Sequence, residues 1–286
     1  MTLVRAFSGF VRRHDLALTV LVAIIAGVLL SLLIPKPRLG VIELRGQIDR
    51  SDVNALAEAL DRAEDDAAIR GVLLLLDSPG GQAADIEELY LRLLAFRSKK
   101  PIVAAVDRMA ASGAYYLAIA ANSIVAKPSS DIGGIGVISV LPRPPLLDEE
   151  TIVTGPFKES GGGAKASVAR VQQIGESFLN AVLTQRGARL RLTREELALA
   201  ELYTGIEALR FGLIDSVGSV DDALEKLARL ARVGRWQTVQ LRQQPVVSIF
   251  IVLSVDESEL NATNTVPIDY YLYLPVAAEG AREVLR

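Results

Sequence analysis

Residues 71–81 read GVLLLLDSPGG, and this stretch decides the fold class. Gly71 to Leu76 form a continuous apolar run, which is typical of a strand buried on both faces of a parallel sheet. The run ends in Asp77-Ser78-Pro79-Gly80-Gly81, a cluster of turn-forming residues, and a helical pattern follows at 84–97. A buried strand, a glycine-rich turn and a helix in this order indicate a βαβ unit.

The same alternation extends in both directions along the chain. We predict further strands at 41–44, 102–106 and 123–126, with weaker candidates at 133–140, 152–153 and 237–254. We predict helices at 51–66, 84–97, 112–121 and 164–186, and shorter ones near 193–200, 205–211 and 220–232. Ser51 or Asp52 is predicted to cap the first helix. Strands that alternate with helices predict an α/β protein with a largely parallel sheet.

The residues that the chain lacks exclude several kinds of chemistry. None of the 286 residues is cysteine, so a thiol nucleophile, a disulfide and a cysteine-based metal site are excluded. The single histidine, His14, precedes the most hydrophobic segment, so a Ser-His-Asp triad is excluded if that segment spans a membrane. A net charge of -3 without a basic patch gives no sign of nucleic-acid binding. Acid–base chemistry is left to Asp, Glu, Lys, Tyr and Ser, and no metal or cofactor is implied.

Residues 16–34 read LALTVLVAIIAGVLLSLLI, which contains no charge. This length is close to the roughly 20 residues that span a bilayer, and it exceeds the about 7–15 apolar residues of a cleavable signal peptide. We therefore predict an uncleaved anchor within 1–38, a globular domain at 39–235 and an extension of unknown role at 236–286. Positive charges flank the span equally, but a short N-terminal tail usually stays inside, so we expect the globular part outside the cytoplasm.

Two segments that follow predicted strands could build one site. The Asp77–Gly81 turn lies at the carboxyl end of a strand, where parallel sheets bind ligands, and its glycine N–H groups could hold an oxyanion. An ordinary strand-to-helix turn has the same composition. Met109-Ala-Ala-Ser112-Gly-Ala-Tyr-Tyr116 follows the next strand and places one hydroxyl at a helix N-terminus, which stabilises negative charge. Ser112 is therefore a candidate nucleophile or a plain helix cap.

A third segment, Thr154-Gly-Pro-Phe-Lys158-Glu-Ser160, supplies a candidate base. A lysine acts as a base only where burial among apolar groups lowers its pKa by several units, and Pro156 and Phe157 could provide such surroundings. The alternative is a solvated surface lysine, as most lysines are. Ser–Lys pairs are known to activate a hydroxyl without histidine, so the three segments together favour a hydrolytic site.

These segments and a fourth, Thr204-Gly-Ile-Glu-Ala-Leu-Arg-Phe-Gly212-Leu-Ile-Asp215, resemble the signal peptide peptidase A (protease IV) family of serine peptidases over roughly residues 40–232. The resemblance implies a ClpP/crotonase-type β-α superhelix of stacked ββα units, with 39–235 as the peptidase domain. It implies the following site residues: Ser112 as nucleophile, Lys158 as general base, Gly80 and Gly113 as the oxyanion hole, and Gly81 and Gly136 in substrate binding.

The resemblance also implies partners and a location. The substrates would be residual signal peptides and other hydrophobic peptides at the cell membrane, and no cofactor would be needed. Short members of the family form rings in which neighbouring subunits share the serine and the lysine. The chain departs from the family where Ile132-Gly133-Gly134-Ile135-Gly136 replaces Thr-Gly-Ser-Ile-Gly, so the serine that orients the lysine is missing at Gly134. Ser130, Ser139 or a water could substitute for it.

Two other functions stay open at this point. Membrane peptidases of the stomatin-operon (NfeD) type share the Ser–Lys scheme and act on a specific hydrophobic partner tail. The ClpP/crotonase fold also carries acyl-CoA enzymes and inactive scaffolds, since a fold alone does not fix function. The acyl-CoA cofactor is scarce outside the cytoplasm, whereas the glycine at 134 is compatible with a non-catalytic membrane scaffold.

Overall fold

The computed structural model describes residues 19–27, 36–140, 154–155, 157–158 and 161–242, together with the backbone of 271–273. The chain divides into two compact units, Met1–Pro37 and Arg38–Arg286. The first unit contains a helix at 19–27 with exposed apolar side chains. The second unit contains the sheet and all of the predicted site residues.

The strands of the second unit are β1 (Arg38–Arg45), β2 (Ile69–Ser78), β3 (Gly80–Gln82), β4 (Ile102–Ala111), β5 (Ser123–Ala126), β6 (Asp131–Gly133), β7 (Leu202–Thr204), β8 (Ser216–Val217), β9 (Gln237–Gln240) and β10 (Tyr271–Tyr273). The helices are α1 (Arg50–Asp65), α2 (Ala83–Arg97), α3 (Gly113–Ala118), α4 (Ala164–Arg186), α5 (Arg194–Leu197), α6 (Gly205–Arg210) and α7 (Val220–Leu230). They match the predicted helices to within a few residues at each end.

The central sheet is almost entirely parallel. Its main path runs β7-β6-β4-β2-β1-β9, and β5 and β8 form a branch from β4. The pair β6–β7 is antiparallel, and the other pairs of this sheet are parallel. A separate antiparallel pair joins β3 and β10. The predicted α/β class with a largely parallel sheet is confirmed.

Both faces of the sheet are buried, which explains the continuous apolar run in β2. Leu74 and Leu76 lie in a core that also contains side chains of α1, α2, α3 and α4. Leu73 lies in a second core, on the other face, to which α7 contributes Leu227. Because side chains alternate between the faces of a strand, a strand covered on both faces needs an apolar residue at every position.

β4 is shared by the two branches of the sheet. Its residues 103–106 pair with β5, and its residues 109–111 pair with β6. The strand predicted at 133–140 begins earlier and is shorter, since β6 ends at Gly133. Gly133 and Gly134 have φ angles of +123° and +64°, and these angles turn the chain out of the extended conformation.

The first helix is capped by Asp49, so the predicted cap at Ser51 or Asp52 is wrong. The Asp49 carboxylate accepts the N–H groups of Ser51 at 2.8 Å and Asp52 at 3.1 Å. The Asp52 carboxylate accepts the Asp49 N–H at 2.8 Å and completes a capping box. The sequence has the residues of the box, but the cap lies two residues before Ser51 and three before Asp52.

The described start of the predicted C-terminal extension belongs to the sheet. β9 pairs in parallel with β1. Leu241 is buried in the first core, and a Cβ at Gly40 would overlap its side chain. Arg62 donates to the Leu241 carbonyl at 2.6 Å. Contacts with β1 and α1 therefore hold residues 237–242 on the sheet.

Several sequence predictions fall outside the described residues. Of the predicted membrane span at 16–34, only 19–27 is described. Within the part of the chain that the structure describes, no helix has the length and apolarity to cross a membrane. The strand predicted at 152–153 and the segments 243–270 and 274–286 of the extension also lie outside the described residues.

A buried ion pair joins the end of α4 to the fourth sequence motif. Arg186 is only 4% exposed, and its Nη1 and Nη2 donate to the Asp215 carboxylate at 3.2 and 3.0 Å. Arg189 and the Ile124 N–H donate to the same carboxylate at 2.9 and 2.7 Å. Burial by itself raises the pKa of Asp215, but the hydrogen bonds and charge of Arg186 outweigh it and lower the pKa.

We expect Asp215→Asn to destabilise the fold by about 3–5 kcal/mol, because it leaves the Arg186 guanidinium buried without a counter-charge. The matched control is Glu225→Gln, which removes the partner of Arg229 in a pair whose side chains are 67% and 68% exposed. That change should cost less than about 1 kcal/mol. Urea unfolding of the two variants beside the wild type measures both values.

The pH dependence of this loss has a defined sign. A carboxylate with a lowered folded-state pKa stabilises the fold above its unfolded value of 3.8 and loses that effect as pH falls through the folded pKa. The unfolding free energies of wild type and Asp215→Asn should therefore converge as the pH falls below about 4. Equal stability of the two proteins at neutral pH would contradict this assignment.

Candidate active site

The sheet brings two of the predicted segments together at its carboxyl edge. Ser78, the last residue of β2, pairs with Ala110 of β4. Two residues beyond this pair, the two segments reach Gly80 and Ser112. The glycine turn and the serine segment therefore leave the sheet side by side, as expected for the carboxyl ends of neighbouring parallel strands.

Ser112 has a backbone conformation that serine rarely adopts. Its φ is +49° and its ψ is -120°, in a region that favours glycine. Such a conformation costs on the order of 1–3 kcal/mol and persists only where the surrounding structure imposes it, often at active sites. The residue is 3% exposed, so the strain is held inside the molecule. These features favour a functional hydroxyl over an incidental one.

The hydrogen bonds of Ser112 do not cap the helix that follows it. Its N–H donates to the Gly133 carbonyl at 2.7 Å, and its carbonyl accepts the Tyr116 N–H at 3.0 Å. Its Oγ donates to the Gly136 carbonyl at 3.4 Å and makes no capping bond to α3. The structure thus excludes the plain helix cap as the reason for a serine at this position.

Two tyrosines fix the position of α3, the helix that follows Ser112. Tyr115 is fully buried and its hydroxyl donates to the Leu213 carbonyl at 2.9 Å. Tyr116 stacks on Phe178 of α4 with ring centroids 4.6 Å apart. Burial raises the pKa of both phenols, to about 12 for Tyr116, so neither tyrosine can serve as a base near neutral pH.

Two backbone N–H groups beside Ser112 suit an oxyanion hole. Gly80 has a φ of +107°, and its N–H donates to the Ser78 Oγ at 3.0 Å. Gly113 is the first residue of α3, so no carbonyl of the helix can accept its N–H. An oxyanion bound here would replace the Ser78 hydroxyl as the acceptor of Gly80. The structure places both predicted donors directly next to the nucleophile segment.

The predicted substrate-binding glycines lie in the same region. Gly81 is the middle residue of β3, and a Cβ there would overlap the Ile48 carbonyl oxygen, so the position requires glycine. A cleft opens at the end of β3; it is lined by Gln47, Ile48, Asp49, Arg50, Gln82 and Asp85. Gly136 adjoins Ser112, since its carbonyl accepts a hydrogen bond from the Ser112 hydroxyl.

Lys158 is not brought to Ser112 within the single chain. It is exposed, and among the described residues no hydrogen bond or ion pair joins its ammonium group to another side chain. Its N–H donates to the Gly155 carbonyl at 3.1 Å. Phe157 is itself 56% exposed, and Pro156 lies outside the described residues. Among the described residues, Lys158 therefore lies in solvent and not in the apolar surroundings that were expected.

The residues proposed to replace the missing serine at Gly134 are also placed by the structure. Gly134 is in the left-handed region and its N–H donates to the Glu201 carbonyl at 2.9 Å. Ser130 is buried, and its hydroxyl donates to the Asp107 carbonyl at 3.0 Å and accepts the Lys127 N–H at 3.2 Å. Ser130 is thus engaged in the β5–β6 turn, whereas Ser139 is half-buried.

Sequence reasoning missed two features at this edge. It assigned no role to Ser78, whose buried hydroxyl accepts a hydrogen bond from the Gly80 N–H. It also missed that Arg108 of β4 donates from Nε to the Asp77 carboxylate at 2.8 Å. The sequence does place opposite charges near the ends of two strands, at Asp77 and Arg108. Their pairing could not be predicted, because it depends on the register of β2 against β4.

The comparisons with known proteins agree with these motifs. The sequence profile of peptidase family S49 matches residues 95–145. Protease 4 of Salmonella typhi is 30% identical over 207 residues, which cover 68% of this chain and 33% of that protein. A putative protease of Synechocystis sp. is 30% identical over 206 residues, which cover 66% of this chain and 73% of the relative.

A solved structure gives a more distant likeness. It is a mutant of the 1510-N membrane-bound stomatin-specific protease, with a TM-score of 0.47 and 20% identity over 73% of this chain and 96% of that one. The chain spans about a third of the length of the Salmonella relative and about three quarters of the Synechocystis relative. The chain belongs to peptidase family S49, the signal peptide peptidase A family of serine peptidases that its four motifs indicated.

Proposed function

We propose that this chain is a serine endopeptidase with Ser112 as its nucleophile and Lys158 as its general base, built on a ClpP/crotonase-type superhelix. The observation that carries the proposal is the strained, buried Ser112, which leaves the sheet beside the Gly80 turn and makes no side-chain cap to its helix. Strain of this kind at a hydroxyl, next to the candidate oxyanion donors Gly80 and Gly113, matches the needs of acyl transfer.

The proposed reaction has two stages. Ser112 Oγ attacks the scissile carbonyl carbon while neutral Lys158 accepts the hydroxyl proton. The N–H groups of Gly80 and Gly113 stabilise the oxyanion, and the lysine then gives its proton to the leaving amine. A water molecule, deprotonated by the lysine, hydrolyses the acyl-enzyme and restores the serine hydroxyl.

The exposed position of Lys158 favours a site shared between subunits. A lysine in water stays protonated, so it needs a covering surface before it can accept a proton. A second subunit in a ring-shaped homo-oligomer would supply that surface and would place one subunit's Lys158 beside its neighbour's Ser112. Exposed apolar side chains on α6 and beside it, at Leu199, Leu202, Ile206 and Leu209, are available for contacts between subunits.

We further propose that the enzyme is a single-pass protein of the cell membrane, with its catalytic domain outside the cytoplasm. The uncharged run at 16–34 supports this, as do the exposed apolar residues Val20, Leu21 and Val22 of the 19–27 helix. The proposed substrates are residual signal peptides and other hydrophobic peptides, which such an anchor would bring within reach of the site.

Ser112→Ala and Lys158→Ala should each lower cleavage of a hydrophobic fluorogenic peptide by on the order of 10³-fold or more, since each removes a group that acts in bond cleavage. The matched control is Lys165→Ala, another exposed lysine, in the first turn of α4, which should keep wild-type rates. Turnover by Lys158→Ala close to that of the control would place the base elsewhere. Absence of fluorophosphonate labelling at Ser112 in the wild type would favour the scaffold instead.

Co-expression of the two inactive variants tests whether the dyad is shared. In a mixed ring, a Lys158→Ala subunit keeps its serine and an Ser112→Ala neighbour keeps its lysine, so about a quarter of the sites regain both groups. We expect up to about a quarter of wild-type activity in the co-expressed oligomer and none in either variant alone. If both groups came from one subunit, mixing would restore nothing.

The pH dependence should show a single base. Only the neutral lysine accepts the serine proton, so kcat/KM should rise with pH through one ionisation and then level off, between about pH 6 and 10. A carboxylate base would instead give full activity already at the lower end of this range. Circular dichroism at each pH confirms that the protein stays folded.

A further inference from the structure

The carboxyl edge of the sheet carries charged side chains on the face that holds the second core. Along β1, β2, β4 and β5, the apolar residues of this core alternate with residues of the first core. The next positions on the same face are charged: Glu43 and Arg45 on β1, Asp77 on β2, Asp107 on β4 and Lys127 directly after β5. Arg108, which lies where the pairing of β2 and β4 shifts, joins this group through Asp77. The fold thus gathers three cations that are distant in sequence.

The charges are layered, with the carboxylates beneath the cations. Each ion pair joins one carboxylate to one cation: Glu43–Arg45, Asp77–Arg108 and Asp107–Lys127. The side chains of the three carboxylates are 6% to 23% exposed, whereas those of the three cations are 45% to 80% exposed. The surface that faces solvent is therefore positive, although the charges of the pairs cancel. We call the three cations the cationic rim.

Arg108 is fixed in place but keeps hydrogen-bond donors for a ligand. Its Nε and Nη2 lie 2.8 and 2.7 Å from one oxygen of the Asp77 carboxylate, which is itself buried. A guanidinium has five N–H groups, and among the described residues that of Arg108 makes no hydrogen bond to any other partner. A planar group with a fixed orientation and unused donors is well suited to bind a second carboxylate.

The cationic rim lies beyond the proposed oxyanion hole, on the far side from β3. β3 leads from the sheet edge into α2, which packs on the first core, whereas the rim lies on the face of the second core. A peptide with its scissile carbonyl at the Gly80 N–H and one half along β3 sends its other half over the edge toward the rim. Three residues lead from Asp77 to Gly80, which is at most about 11 Å, the span of about three extended peptide residues.

Charge decides which half of the peptide lies over the cationic rim. A positive surface attracts a carboxyl terminus and repels an amino terminus. The half over the rim is therefore the leaving half, which follows the scissile bond and ends in the C-terminal carboxylate.

We propose that the cationic rim binds the free C-terminal carboxylate of a peptide substrate about three residues after the scissile bond, with Arg108 as the main contact. This inference rests on the proposed function and deepens it, because it names the substrate class. The preferred substrates are fragments whose C terminus an earlier endoproteolytic cut has set free, and a residual signal peptide is such a fragment.

Peptide binding to the full-length chain tests the inference without catalysis. All proteins carry Ser112→Ala, so that the probes stay intact. Two fluorescent hydrophobic peptides of one sequence are compared by anisotropy, one with a free C-terminal carboxylate and one with a C-terminal amide. Arg108→Gln removes the main contact, Arg108→Lys keeps its charge, and Arg45→Gln is a second test if the loss of Arg108 prevents folding. The matched control is Arg70→Gln, an exposed arginine at the amino end of β2.

We expect the free acid to bind on the order of tenfold more tightly than the amide, since only the acid makes a charge-assisted contact with the rim. Added salt should reduce this ratio of affinities, because it screens exposed charges. Arg108→Gln should bring the ratio close to one, Arg45→Gln should lower it and Arg108→Lys should keep most of it, whereas Arg70→Gln should leave it unchanged. Equal affinities of the two probes, a ratio that survives Arg108→Gln, an equal loss in Arg70→Gln or no saturable binding would overturn the inference.

The cleavage reaction is read separately, with Ser112 restored. Mass spectrometry of the products should show that the free acid loses a C-terminal fragment of about three residues, and that it does so faster than the amide. Selective binding of the acid by a protein that cleaves nothing would keep the rim and reject the peptidase. Equal rates for the two peptides, with long C-terminal fragments released, would keep the peptidase and reject the rim.

Discussion

The pairing of Ser78 with Ala110 is the contact on which the rest of the site depends. It sets the register of β2 against β4, and so it decides that the chain reaches Gly80 and Ser112 at the same edge of the sheet. A shift of one residue would turn every side chain of a strand to the opposite face. Because both faces of this sheet are buried under helices, such a shift would also disrupt two cores, and the register is fixed by packing as much as by hydrogen bonds.

The strain at Ser112 is supported by the structure around it. The Gly133 carbonyl accepts its N–H, while the buried Tyr115 and the stacked Tyr116 hold the following helix in place. The Arg186–Asp215 pair ties the end of α4 to the loop whose Leu213 carbonyl accepts the Tyr115 hydroxyl. Part of the folding free energy of this region therefore offsets the cost of the Ser112 backbone conformation, which serine rarely adopts.

In the proposed mechanism, a single subunit supplies the nucleophile and the oxyanion donors, whereas the proposed base is not buried. Lys158 lies exposed and unpaired among the described residues, whereas Ser112 is buried and fixed. This asymmetry is consistent with the proposed site shared between subunits, in which the lysine would lose its water on assembly.

Much of this protein could be read from its sequence, because apolar runs and turn residues are local signals. The run at 71–76 predicted a strand with two buried faces, 164–186 predicted α4 to the residue, and Ser112 and Gly80 were named from their motifs. The cap at Asp49, the short β6 and the place of 237–242 in the sheet were not predicted. Tertiary structure alone decided the conformation of Ser112, the exposure of Lys158 and the β3–β10 pair. These features depend on contacts between residues distant in sequence, which no local pattern encodes.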